Sequence, residues 1–247
     1  LDKLEILKIQ KLSTNLVTDM TRVFSDCKSI TSLDLSNFDT SSVTDMSELF
    51  KNCQKLKYIT FSSKFTTSKV KSMYRMFDSD HALIQLDLSS FDTLNVERMN
   101  AMFSDCSSLT SLDITNFNTE KVKDLSALFW GCSSLKSIDV SHLDTRNSEY
   151  LSTMFRNCVS LTSLDISNFD FGNAMTVMQM FYNCTSLNYL NIKKVKSEKL
   201  KSSTRVTISS ICCMLTGSLS QACRMPALIF CPSKPSRLPS FFTTNKG

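Results

Sequence analysis

The chain has 247 residues, of which 42% are hydrophobic, 21% charged and 9% aromatic, enough apolar material for a large core and neither a disordered nor a membrane-embedded composition. The formal charge of +5 does not mark a nucleic-acid or membrane partner: all 23 Asp and Glu precede residue 200, and Lys201, Arg205, Arg224, Lys234, Arg237 and Lys246 carry the excess. Four Gly and two His leave little material for Gly-rich phosphate loops or general bases.

No apolar run approaches the roughly 18–20 residues that span a bilayer. Residue 1 is Leu, and Asp2 and Glu5 stand where a signal peptide would be basic, so the chain reads as a fragment or a processed piece. Its dominant feature is a repeat. Aligning on Cys27–Phe50 recovers related phrases at Cys106–Phe129, Cys132–Phe155 and Cys158–Phe181. Phe24, Phe50, Phe77, Phe103, Phe129, Phe155 and Phe181 recur every 26 residues, with one step of 27 caused by an extra residue near Ser62–Lys64.

Within a unit, Ile30-x-x-Leu33-x-Leu35-x-x-Phe38 has leucine-rich-repeat spacing, and the alternation of Leu33 and Leu35 predicts a strand with those two side chains inward. Val43, Met46, Leu49 and Phe50 then recur at intervals of three and four, which predicts one or two turns of helix. One unit cannot bury its apolar face alone, so units must stack. The expected fold class is α/β: a leucine-rich-repeat solenoid with a parallel sheet on one side and short helices on the other, about 26 residues per repeat. The Met20, Met46, Met73, Met99 column and the Met76, Met102, Met154, Met180 column read as gap-filling core.

The phrase Ser160–Asp170 and the M-x-x-M-F-x-x-C-x-S-L pattern at Met99–Leu109 resemble the BspA-like family of leucine-rich-repeat surface proteins of bacteria and parasitic protists. The resemblance covers residues 1–200 or so and implies a cell-surface or secreted solenoid used in adhesion or host contact. The chain departs from the general leucine-rich pattern where Phe38, Phe65, Phe91, Phe117, Leu143 and Phe169 fill the usual Asn or Cys slot, so a Phe spine is expected in place of an Asn ladder.

The repeat array, about seven and a half units, is assigned to residues 1–207, because the next Met and Phe slots fall on Ser203 and Thr207. Residues 208–247 form a non-repeat tail holding all four Pro and Cys212, Cys213, Cys223 and Cys231. Its abrupt change of composition fits either a divergent, disordered tail or a shifted reading frame.

Cys27, Cys53, Cys106, Cys132, Cys158 and Cys184 share one slot in six of seven units, and Asp80 stands in that slot in the remaining unit, between Cys53 and Cys106. A buried column of free thiols ranks first, disulfides between neighbouring units second and metal last, since a 26-residue spacing supplies no local C-x₂₋₄-C clamp. His81 and His142 fall in different slots and read as solvated, which leaves no positioned base for a nucleophile. The expectation is therefore no enzyme, no catalytic residue, no cofactor and no metal.

Asp34, Asp87, Asp113, Asp139 and Asp165 occupy the strand slot between the two inward positions, so alternation points them outward. Stacked carboxylates repel, and either the flanking hydroxyls (Ser111, Thr115, Ser137, Ser141, Ser163, Ser167) or a cationic partner or Ca²⁺ must offset this. Tyr58 and Tyr189 are the aromatic residues on this face. Trp130 is placed on the outer helix side, and Asn183-Cys184-Thr185 is the one glycosylation sequon.

The resemblance to the BspA-like family implies a recognition or adhesion module at the cell surface, or secreted, and the residue readings add the expectation that it is non-enzymatic. It would bind a protein or other extracellular ligand through the sheet face, with Asp34, Asp87, Asp113, Asp139, Asp165, Tyr58 and Tyr189 as candidate binding residues. The alternative is a structural or intracellular scaffold array with no dedicated ligand. Neither involves nucleic acid or a transmembrane segment.

Overall fold

A computed structural model of the chain describes residues 7, 9 and 12–192. The assignment of residues 208–247 as a tail, and the end of the array at residue 207, lie outside those residues.

Each repeat forms one rung. Strands β1 (Ser32–Leu35) and β2 (Tyr58–Phe61) pair in parallel with Leu33 opposite Ile59 and Leu35 opposite Phe61. Strands β3 (Ser163–Asp165) and β4 (Tyr189–Asn191) pair likewise, with Leu164 opposite Leu190. In the rungs between, Leu88, Leu112, Ile114, Ile138 and Val140 still point inward and Asp87, Asp113 and Asp139 outward, but no ladder is assigned. Alternation therefore runs through the described rungs, whereas among the described residues strand pairing joins only the Leu33 rung to the Ile59 rung and the Leu164 rung to the Leu190 rung.

The unbroken connection lies on the opposite side. Asp19, Asp45, Ser72, Arg98, Asp124, Tyr150 and Thr176 form six successive parallel bridges, each joining neighbouring rungs. The segment that follows each bridge is where the expectation of short helices fails, because no α-helix forms among the described residues. Val23 donates to the Met20 carbonyl, Ser25 to Arg22 and Cys27 to Phe24, which are overlapping four-residue turns. The intervening amides of Met20, Arg22, Phe24 and Asp26 cross to the carbonyls of Asp45, Ser47, Leu49 and Lys51 in the next rung. A helix would turn each amide beyond its first four back to its own i−4 carbonyl, and those could no longer cross to the next rung.

The physical cause is the backbone conformation at two positions per rung. The slot before each cysteine has positive φ and holds Asp26, Asn52, Ser79, Asp105, Gly131, Asn157 and Asn183, mostly residues that tolerate the left-handed region. Four residues earlier Arg22, Glu48, Arg75, Ala101, Ala127, Thr153 and Gln179 are also left-handed, at a cost of about 1–2 kcal/mol each. Both slots fit the third residue of a type II turn, which requires φ > 0. Met46, Leu49, Phe50 and Cys53 are all buried at i, i+3, i+4 and i+7, so overlapping turns reproduce the burial pattern that a helix would give.

The core is columnar. Phe24, Phe50, Phe77, Phe103, Phe129, Phe155 and Phe181 stack in one continuous file, with ring centroids 5.3–5.9 Å apart and planes within 19° of parallel. The two Met columns pack beside it and are buried. The continuous Phe spine is thus this column rather than the Phe38 column, in which Phe65 and Phe91 stack at 5.9 Å.

Threonine does the hydrogen bonding expected of an Asn ladder. Thr40, Thr67, Thr93, Thr119 and Thr145, two residues beyond the Phe38 slot, are almost fully buried. Thr93 Oγ1 donates to the Asn118 carbonyl at 2.9 Å and accepts from the Asn118 amide at 2.7 Å. The same two-way bond joins Thr40 to Thr66, Thr67 to Asp92 and Thr145 to Asp170. Each hydroxyl satisfies two backbone groups that the extended chain leaves unpaired.

Candidate functional site

Asp34, Asp87, Asp113, Asp139 and Asp165 all stand exposed on the strand side. Every one uses Oδ1 to accept the backbone amide two residues on: Ser36 at 2.9 Å, Ser89 at 3.0 Å, Thr115 at 3.0 Å, Ser141 at 2.9 Å and Ser167 at 2.8 Å. This is an Asx turn, and it closes the extended segment of each of these rungs. Side chains add to it: Thr115 Oγ1 donates to Asp113 at 2.8 Å, and Asn191 Nδ2 donates to Asp165 Oδ2 at 2.9 Å.

These bonds set the electrostatics. The Ser36, Ser89 and Thr115 amides, followed by the hydroxyls of the same residues, hold Asp34, Asp87 and Asp113 below the usual carboxylate range. The Ser141 hydroxyl and then its amide do the same for Asp139. Repulsion from the next carboxylate is the weakest influence on both Asp113 and Asp139, smaller than the opposing pull of His142. Asp34, Asp87, Asp113 and Asp139 are therefore ionised and individually fixed, and the repulsion anticipated from stacking is a minor influence on Asp113 and Asp139.

Tyr58 is 48% exposed and Tyr189 38% exposed, but they sit in β2 and β4 with the rungs of Gln85, Ser111, Ser137 and Ser163 between them. They flank the Asp run and form no common patch with each other. His81 is exposed with Nδ1 3.0 Å from the Asp105 carbonyl, and His142 is exposed beside Asp113 and Asp139. Trp130, expected on the outer side, is half-buried there, and its Nε1 is shielded without a partner.

The six repeat cysteines described are buried free thiols. Cys53, Cys106, Cys132, Cys158 and Cys184 each donate Sγ–H to the phenylalanine carbonyl of the preceding rung at 2.9–3.1 Å. Burial pushes the Cys132 and Cys184 thiols up to about 12. They fill core space and are poor nucleophiles. Among the described residues no cluster of three or more His, Cys, Asp or Glu is placed to hold a metal ion, and no helix is long and apolar enough to cross a membrane.

One concavity was not anticipated. A groove of about 630 Å³ lies against the side of the array, lined by Glu97, Lys123, Glu149 and Met175 in one column and by Asn147 and Asn173 in another. None of the Asp column lines it. The alternation of Lys71, Glu97, Lys123 and Glu149 in one repeat slot was the available sequence signal.

The solved structures that resemble the chain are leucine-rich repeat proteins, as the resemblance of the repeat to the BspA-like type implies. A leucine-rich repeat protein of T. pallidum is 18% identical with a TM-score of 0.35, covering 75% of this chain and 66% of that one. One from Bacteroides ovatus is 20% identical with a TM-score of 0.31, covering 76% and 69%. A leucine-rich cell surface protein of Faecalibacterium prausnitzii is 15% identical with a TM-score of 0.27, covering 81% and 66%. The chain thus spans about two thirds of the length of these proteins, and its fold stands on the ladders described above rather than on these likenesses. No curated protein matches it. The profile of one family matches residues 3–62, 18–112, 58–142 and 107–210, and the chain belongs to that family, described as Mycoplasma protein of unknown function, DUF285.

Proposed function

We propose that the chain is a non-enzymatic recognition or adhesion module, displayed at a cell surface or secreted, which binds a basic protein segment or other cationic ligand through the strand side. The observation that supports this is the run Asp87, Asp113, Asp139 and Asp165. These are four exposed carboxylates in successive rungs, each locked in orientation by a backbone amide. A ligand meeting preoriented charges loses less conformational freedom on binding than one that must order them. Tyr58 and Tyr189 would bound the contact at its two ends.

A second reading, a scaffold array with no dedicated ligand, draws support from the same hydrogen bonds, since each Asp also closes its own turn. The two separate cleanly. Replacing Asp113 and Asp139 with Asn keeps an Oδ1 acceptor for the Thr115 and Ser141 amides and removes the charge. The recognition reading expects weaker capture of a Lys-rich peptide or of Ca²⁺, and the deficit for the peptide should shrink as salt rises above about 0.15 M. Unchanged binding of both probes, with the fold intact, leaves the scaffold.

A further inference from the structure

Asp80 occupies the slot that every other described rung from Cys27 to Cys184 fills with cysteine, and it is completely buried. Its Oδ1 accepts the Cys53 amide at 2.8 Å, while Oδ2 is shielded from solvent without any hydrogen-bond partner. A carboxylate so placed is a buried charge satisfied by one amide; a neutral acid at the same place avoids the charge-burial penalty. The rung before it contributes the Cys53 thiol. The rung after contributes Cys106 and Asp105, and its own rung contributes Asp78, which Arg75 approaches at 3.7 Å, and His81, whose ring is turned to the Asp105 carbonyl. Among the described residues no cation is bonded to Asp80.

We propose that the Asp80 rung is a pH-gated weak point: Asp80 is packed as a neutral carboxylic acid, and raising the pH eases local opening between the Phe50 and Phe103 rungs. Burial first, and the nearby Asp78 charge last, hold this carboxyl well above its ordinary value of 3.8, against the single Cys53 amide. The closed rung therefore binds a proton that the opened rung releases at any pH between 3.8 and the closed-state value. Opening becomes easier by up to tenfold per pH unit in that window, and acid closes the rung again. The segment leads into Asp87, the first of the four successive carboxylates, so acidification would firm the near end of that run whatever the strand side binds.

The test is native-state amide exchange on the whole chain between pH 5 and 8, corrected for the intrinsic rate and kept under reducing agent. Asn52, bonded to the Asp78 carbonyl, and Ser79, bonded to the Ser104 carbonyl, report the weak rung; Gly131 and Asn157 report distant ones. Protection at Asn52 and Ser79 should fall by up to tenfold per pH unit while Gly131 and Asn157 stay level. Asp80→Cys, which restores the column, and Asp80→Asn should both remove the slope, whereas His81→Gln and Asp105→Asn should keep it. Level protection at Asn52 and Ser79 in the parent chain overturns the proposal. So does a slope that survives both Asp80 variants, or one abolished by His81→Gln or Asp105→Asn.

Discussion

Replacing Thr93 separates the hydroxyl ladder from simple core filling. Thr93 is buried, and its Oγ1 holds both the carbonyl and the amide of Asn118 in the next rung. Thr93→Val keeps the side-chain volume but strands a donor and an acceptor, each costing about 1–3 kcal/mol when buried. The Asn118 side chain is exposed, so water reaches part of this site, and a total loss of about 2–3 kcal/mol is expected. Thr93→Ser keeps the hydroxyl and deletes a methyl group, a loss of about 1 kcal/mol. With a urea dependence near 2 kcal/mol/M, the midpoint should drop by about 1–1.5 M for Val and about 0.5 M for Ser. Because a repeat array can open in part, exchange of the Asn118 amide supplies a local reading: it should accelerate in Thr93→Val and stay slow in Thr93→Ser. If the Val variant equals or exceeds the Ser variant in stability, or if the Asn118 amide stays protected without the hydroxyl, the ladder is not what joins these rungs.

Further expectations concern the thiols and the left-handed Gly131. Thiols that stay protonated near 12 in the fold but ionise from about 9 in the unfolded chain contribute stability that is complete below pH 9 and lost as the pH rises from there. Unfolding free energy should therefore fall by about 1.4 kcal/mol per pH unit per thiol, and a Cys132→Ser, Cys184→Ser variant should show a shallower decline; equal slopes in urea melts between pH 8 and 10 would contradict this. Gly131 has φ +74°, and a Cβ there would lie 2.0 Å from Asp105 Oδ1. Gly131→Ala should lose about 1–2 kcal/mol from the left-handed backbone together with a steric part, and only the steric part should return in an Asp105→Ala background. No recovery in that background, measured by thermal melting, would place the clash elsewhere.

The spacing of apolar residues alone determined the period, the stacking of units and the inward columns, because burial in a solenoid repeats in step with the chain. The outward direction of Asp34, Asp87, Asp113, Asp139 and Asp165 followed from strand alternation in the same way. Their Asx turns were not anticipated, although the Asp-x-Ser/Thr spacing carried the signal of a local hydrogen bond that needs no partner rung. The mistaken helices show where such reasoning stops. Burial at i, i+3, i+4 and i+7 states which side chains face inward and leaves the destination of the amides open. That destination was decided by neighbouring rungs, whose carbonyls accept half of the amides that a helix would keep. Asn52, Asn157, Asn183 and Gly131 before or within the cysteine phrase carried a turn signal, but Arg22, Glu48, Ala101 and Ala127 carried none, since only cross-rung bonding sustains their left-handed backbone. The Thr ladder, the Asp80 oxygen without a partner and the groove beside Glu97 and Glu149 likewise depended on tertiary structure: each brings together atoms a full repeat or more apart, at distances that no spacing along one chain specifies.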